Sequence, residues 1–174
     1  MGGYKNLLVY QQAVVIFDLN HLFCERYIDK RSRTFDQMIQ ADRSGKQNIV
    51  EGSLEKSLKS NIYLTGISRA SYGELLEDYI DFLQLKGLKP WSKEDQRVLE
   101  IRKTRITNET NLSNWSNWTN SSEPFANLMI TLLSRENYLL DQMLRSLERK
   151  FVEEGGYTEN LYKKRMEYRK KKFD

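Results

Sequence analysis

Hydrophobic positions recur at helical spacing in four long stretches of the chain, and each stretch shows a different face. The first predicts a helix from about Asn6 to Asp29. At about 100° per residue, Leu8, Val15, Leu19 and Leu22 point one way, while Leu7, Tyr10, Val14 and Phe17 point largely the other. A helix apolar on two sides is buried on two sides. A small bundle covers only one of them, so the second calls for another chain or the C-terminal segment.

The second helix is expected to start at Thr34, where Thr34-Phe-Asp-Gln37 fits a capping box, and to end near Gly52 or Ser53. Between Met38 and Ile49 runs a ladder of small or polar residues that includes Ala41 and Gly45. A glycine inside a helix costs about 1 kcal/mol relative to alanine, so Gly45 implies that another backbone comes close. The third helix should span about Ser60 to Lys86 and stop at Gly87. Ile62, Ile67, Ala70, Leu75, Leu76, Tyr79, Phe82 and Leu83 form its apolar side, and Glu74, Glu77, Asp78 and Asp81 an acidic patch. A shorter helix is expected from Ser92 to about Arg105. The fourth long helix should begin near Pro124 and carry a stripe from Phe125 to Phe151, ended by Gly155-Gly156. A short basic helix follows, from about Thr158 to Lys172.

This order predicts an all-α protein: an up-down four-helix bundle over residues 4–156 and a basic C-terminal helix or tail over 157–174. Residues 88–123 would be an insertion between the third and fourth helices. Its sequence NETNLSNWSNWTNSSE places asparagine at every third position, 108, 111, 114, 117 and 120. That reads as a low-complexity loop. The five N-x-[ST] matches have no accompanying secretion signal and read as a by-product of the micro-repeat. Trp115 and Trp118 should tuck onto the bundle, or else serve as an exposed stacking surface.

Charge sharpens the picture. The net charge is +4, and residues 157–174 hold seven Lys/Arg against three Asp/Glu, so the rest is neutral. Candidate nucleic-acid contacts are Lys163, Lys164, Arg165, Arg169, Lys170, Lys171 and Lys172, assisted by Lys30, Arg31 and Arg33. No stretch reaches the roughly 18 apolar residues of a membrane span, no signal peptide is evident, and one cysteine cannot form an internal disulfide. A cytoplasmic location is expected, with no membrane partner.

Catalytic constellations are sparse. His21 is the one histidine, with Asp18 at the spacing of half a di-metal motif and Cys24 one turn on. Neither has the second partner that metal or nucleophilic chemistry requires. The expectation is no enzyme, no metal and no cofactor.

FDQMIQADRSGKQNIVEGS, followed by LTGISRASYGELLEDYIDFLQLKGLKPW, resembles the bacterial four helix bundle proteins of the 23S rRNA intervening-sequence and accessory variability determinant family. It is most similar to the branch called four helix bundle suffix domain. The segment from Phe125 to Arg165 continues the likeness. The resemblance implies a protomer of a ring-shaped homopentamer. Some relatives are encoded within ribosomal RNA insertions; others bind the reverse transcriptase and RNA of diversity-generating retroelements. Those accessory proteins are basic over the bundle itself, whereas here the bundle is neutral. Within the motif, Asn48 and Glu51 can share a face of the second helix, and Arg69 of the third could reach them as a buried polar clamp fixing register. The functional expectation is a non-enzymatic, self-associating accessory protein that binds RNA or DNA, or a partner such as a reverse transcriptase. The alternative is a protein–protein scaffold.

Overall fold

The computed structural model describes residues 3–173; Met1, Gly2 and Asp174, the last residue of the expected tail, lie outside them. The protein is all-helical, with six α-helices and no strand among the described residues. They are α1 (Leu8–Tyr27), α2 (Arg33–Leu54), α3 (Leu58–Leu85), α4 (Gln96–Lys103), α5 (Ser122–Glu154) and α6 (Tyr157–Phe173). No helix among them is long and apolar enough to cross a membrane.

Side-chain caps set the starts, two or three residues away from the expected positions. Ser32, not Thr34, caps α2: its Oγ accepts the Phe35 amide at 3.2 Å. Asp29 fixes that arrangement by accepting the Arg31 amide through Oδ1 and the Ser32 hydroxyl through its carbonyl. The capping box at Thr34 is therefore unused. Ser57 caps α3 and Asp95 caps α4 in the same way. Gly87 at φ +70° and Gly155 at φ +76° end α3 and α5, the left-handed conformation that glycine adopts without strain.

Four helices pack in a closed cycle: α1 on α2, α2 on α3, α3 on α5, and α5 on α1. The α3 and α5 helices run antiparallel, since Asn137 Nδ2 donates to the Tyr72 carbonyl and Arg69 pairs with Asp141. Gly45 marks a close approach, as expected, but side chains make it. The Tyr72 ring lies over Gly45, and the Ser68 hydroxyl donates to the Gly45 carbonyl at 2.8 Å. The N-terminal half of α3 thus turns Thr65, Ser68 and Ser71 inward, and Ala70, assigned to the apolar side by spacing, is exposed.

The shorter helix expected from Ser92 is present as α4, but residues 108–123, read as a loop, are partly helical. Residues 88–123 include α4 and the 3₁₀ helix Leu112–Trp118, and they bury Val98, Ile101, Ile106 and Trp115. The micro-repeat explains that helix. A 3₁₀ helix has three residues per turn, so a period of three stacks like residues in columns. Asn114 and Asn117 fall in one exposed column, and Leu112, Trp115 and Trp118 in another, of which Trp115 is fully buried and Trp118 half-buried. Asn111 and Asn114 cap the first turn reciprocally. The Trp side chains tuck in, as the first of the two readings expects.

This segment covers one flank of α1. The 3₁₀ helix packs on α1, Arg26 Nη1 donates to the Thr119 carbonyl at 3.0 Å, and Leu8 and Gln11 share a hollow with Arg105 and Ile106. The flank of α1 that carries Leu8, Gln11 and Arg26 is therefore bordered by the α3–α5 connection, and Leu8 itself stays exposed. The Tyr10-Val14-Phe17 side stays half-buried beside α2, where the Lys46 ammonium sits 3.3 Å above the Phe17 ring.

A candidate nucleic-acid interface on an exposed basic helix

The chain turns out of α5 at Gly155, and α6 starts at once. Glu159 Oε2 accepts the Gly156 amide at 2.7 Å, and Asn160 Nδ2 donates to the Glu154 carbonyl. Only the root of α6 lies against the core: Tyr157, Asn160 and Lys164 share a hollow with Lys56 and Asn61 of the α2–α3 turn region. Beyond it, residues 161–172 are all exposed. Helical spacing sorts the seven basic residues into three rows: Arg165-Arg169-Lys172, Lys163-Lys170 and Lys164-Lys171. Tyr162, Met166 and Tyr168 stand between them, exposed. Cationic rows with interleaved aromatics can pair phosphates and stack bases.

The assisting cluster is elsewhere. Lys30, Arg31 and Arg33 are exposed at the α1–α2 turn, and α2 separates that end from the α6 root. The length of α2, from Arg33 to Leu54, is roughly 33 Å. Within one chain the two clusters form two surfaces, not one.

The expected clamp does not assemble. Arg69 Nε pairs with Asp141 Oδ1 of α5 at 3.0 Å, Asn48 Nδ2 donates back to the Ser44 carbonyl at 2.8 Å, and Glu51 is exposed. Arg69 lies on the α5 side of α3, so it meets an acid there instead of α2.

A different polar group occupies the interior, contributed by all four packed helices. Gln12, Asn20, Asp42, Tyr72, Tyr79, Glu136 and Asn137 are buried. Gln12 Nε2 donates to the Leu132 carbonyl at 2.8 Å, one turn before Glu136. Asn20 bridges α2 and α3, donating to the Met38 carbonyl and accepting the Tyr79 hydroxyl at 2.8 Å. The carboxyl oxygens of Asp42 and Glu136 and the Tyr72 hydroxyl have no hydrogen-bond partner among the described residues. Burial pushes Asp42 up to about 8, against the pull of Asn20 and Lys46. Glu136 is raised well above the usual range, again by burial, with Arg135 opposing. Both acids are most cheaply held protonated. Spacing alone could have found them: Asp42 follows Met38, and Glu136 lies between Leu132 and Leu140, each at an apolar-face position.

For chemistry, His21 Nδ1 is 2.8 Å from the Phe17 carbonyl oxygen. Cys24 is buried beside Asn20 and Met38, and burial, followed by Asp42, pushes its thiol up to about 12. That suits a packed thiol and not a nucleophile. Among the described residues no three His, Cys, Asp or Glu side chains gather as metal ligands. Compared with protein-family models, curated proteins and solved structures, the chain matches none.

Proposed function

We propose that the protein is a non-enzymatic, self-associating accessory protein that binds nucleic acid through α6. The observation that carries this reading is a 17-residue helix standing clear of the core with seven Lys/Arg and three interleaved Tyr/Met side chains in solvent. Contacts of this kind act mainly on phosphates, so binding should be weakly sequence-specific and steeply salt-dependent. In this reading the cycle of four helices is an up-down four-helix bundle protomer, and copies close a ring, five being the count the resemblance implies. A ring would repeat each α6 and concentrate its charge.

The test is fluorescence anisotropy with a single-stranded RNA and a DNA oligonucleotide. Affinity should fall at least about tenfold between about 50 and 200 mM salt. Replacing the seven basic residues of α6 by glutamine should abolish binding with helicity unchanged. Equal binding by that variant removes the reading. The scaffold alternative keeps one specific support, the exposed Leu161, Tyr162, Met166 and Tyr168 of α6, which a protein surface would also cover.

A further inference from the structure

Glu74, Glu77 and Asp78 of α3 border an open groove of about 560 Å³ between α2 and α3, and Asp78 and Asp81 border an adjoining hollow beside the α1–α2 turn. Ala41, Ser44 and Ser71 also line the groove. None of the four carboxylates has an ion-pair partner among the described residues. Burial, then the crowding of Asp81 and Glu74, raises Asp78 to about 6, as expected where negative charge lacks a counter-charge.

Lys86 lines the Asp78–Asp81 end without pairing, and the positive charge of α6 is out of reach within the chain. The α6 root lies against Leu58 at the start of α3, and Glu74 is roughly 24 Å further along that helix. Beyond its root, α6 packs against no other helix among the described residues. Yet the two surfaces share a pitch. Glu74, Asp78 and Asp81 follow one another at steps of four and three residues, and so do Arg165, Arg169 and Lys172. Each row spans roughly 10 Å along its helix. Leu161 and Tyr168, exposed beside the basic row, bring apolar surface that water disfavours.

We infer that α6 of one copy docks in the α2–α3 groove of a second copy, Arg165-Arg169-Lys172 against Glu74-Asp78-Asp81. This rests on the self-association in the proposed function and names its surfaces. The contact joins unlike patches, so it propagates head to tail and closes into a ring only if the rotation allows. Docking uses one basic row and leaves Lys163-Lys170 and Lys164-Lys171 for a polyanion.

Charge exchange tests it. By sizing with light scattering at about 50 mM salt, the unaltered chain should run as a multiple of 20.7 kDa. E74K/D78K/D81K and R165E/R169E/K172E should each run as a single chain with helicity retained. Mixed in equal amounts, the two variants restore both contacts between unlike chains, and the higher mass should return. An unaltered chain that runs as a single copy overturns the inference, as does a groove variant that keeps the multimer mass or a mixture that stays dissociated. A neutral groove variant, E74Q/D78N/D81N, retains every basic residue of α6 and adds none, so its RNA binding reports separately on the proposed function.

Discussion

The Tyr72 ring fills the space that a side chain at Gly45 would need: a Cβ there would lie 2.6 Å from Tyr72 Cζ. Tyr72 is fully buried, so its ring has no solvent to retreat into. Gly45→Ala gains about 1 kcal/mol of helix propensity but overpacks the α2–α3 contact at about 1–3 kcal/mol. The expected net effect is destabilisation of about 1 kcal/mol, read as a lower urea midpoint. Gly45→Ala combined with Tyr72→Leu should cost less than the two changes summed. Additive effects would mean the two residues do not meet.

The buried acids make stability depend on pH in a definite direction. Asp42 holds its proton more tightly in the folded chain, about 8 against an ordinary 3.8. Its contribution is therefore complete below pH 3.8, shrinks as pH rises, and is lost once pH passes about 8. Glu136 acts in the same sense. The urea midpoint should fall from pH 5 to pH 8.5, and Asp42→Asn should flatten that fall and stabilise the chain at the upper end. A midpoint that rises with pH over this range would refute the assignment.

Trp115 anchors the 3₁₀ helix that shelters α1. Trp115→Ala should cost about 3–5 kcal/mol, as for other large buried aromatics. Trp118→Ala, at a half-buried position, should cost clearly less. Thermal melts followed by circular dichroism distinguish them. Equal, small losses would mean that the segment is not part of the core.

Arg69 and Asp141 are each about two-fifths exposed. A double-mutant cycle on this pair should give a coupling below about 1 kcal/mol, the range of solvent-exposed ion pairs. Arg69→Ala with Glu51→Ala should show no coupling, because Glu51 faces solvent. A measurable coupling there would restore the clamp.

The sequence by itself determined that the chain is helical, roughly where each long helix lies, and that its excess positive charge sits in the last 18 residues. Those properties are local: periodicity, breakers and counting suffice. Cap positions moved by a few residues because Ser32 and Asp95 compete with Thr34 and Ser92 for the same first-turn amides. The tertiary structure decided what each face meets. It placed Asp42 and Glu136, on different helices, in one interior, turned Arg69 toward Asp141, set the two basic clusters at opposite ends, and laid the Asn-Trp segment over the first helix. Each of these depends on how separate helices pack side by side, and spacing within one helix carries no information about its neighbour.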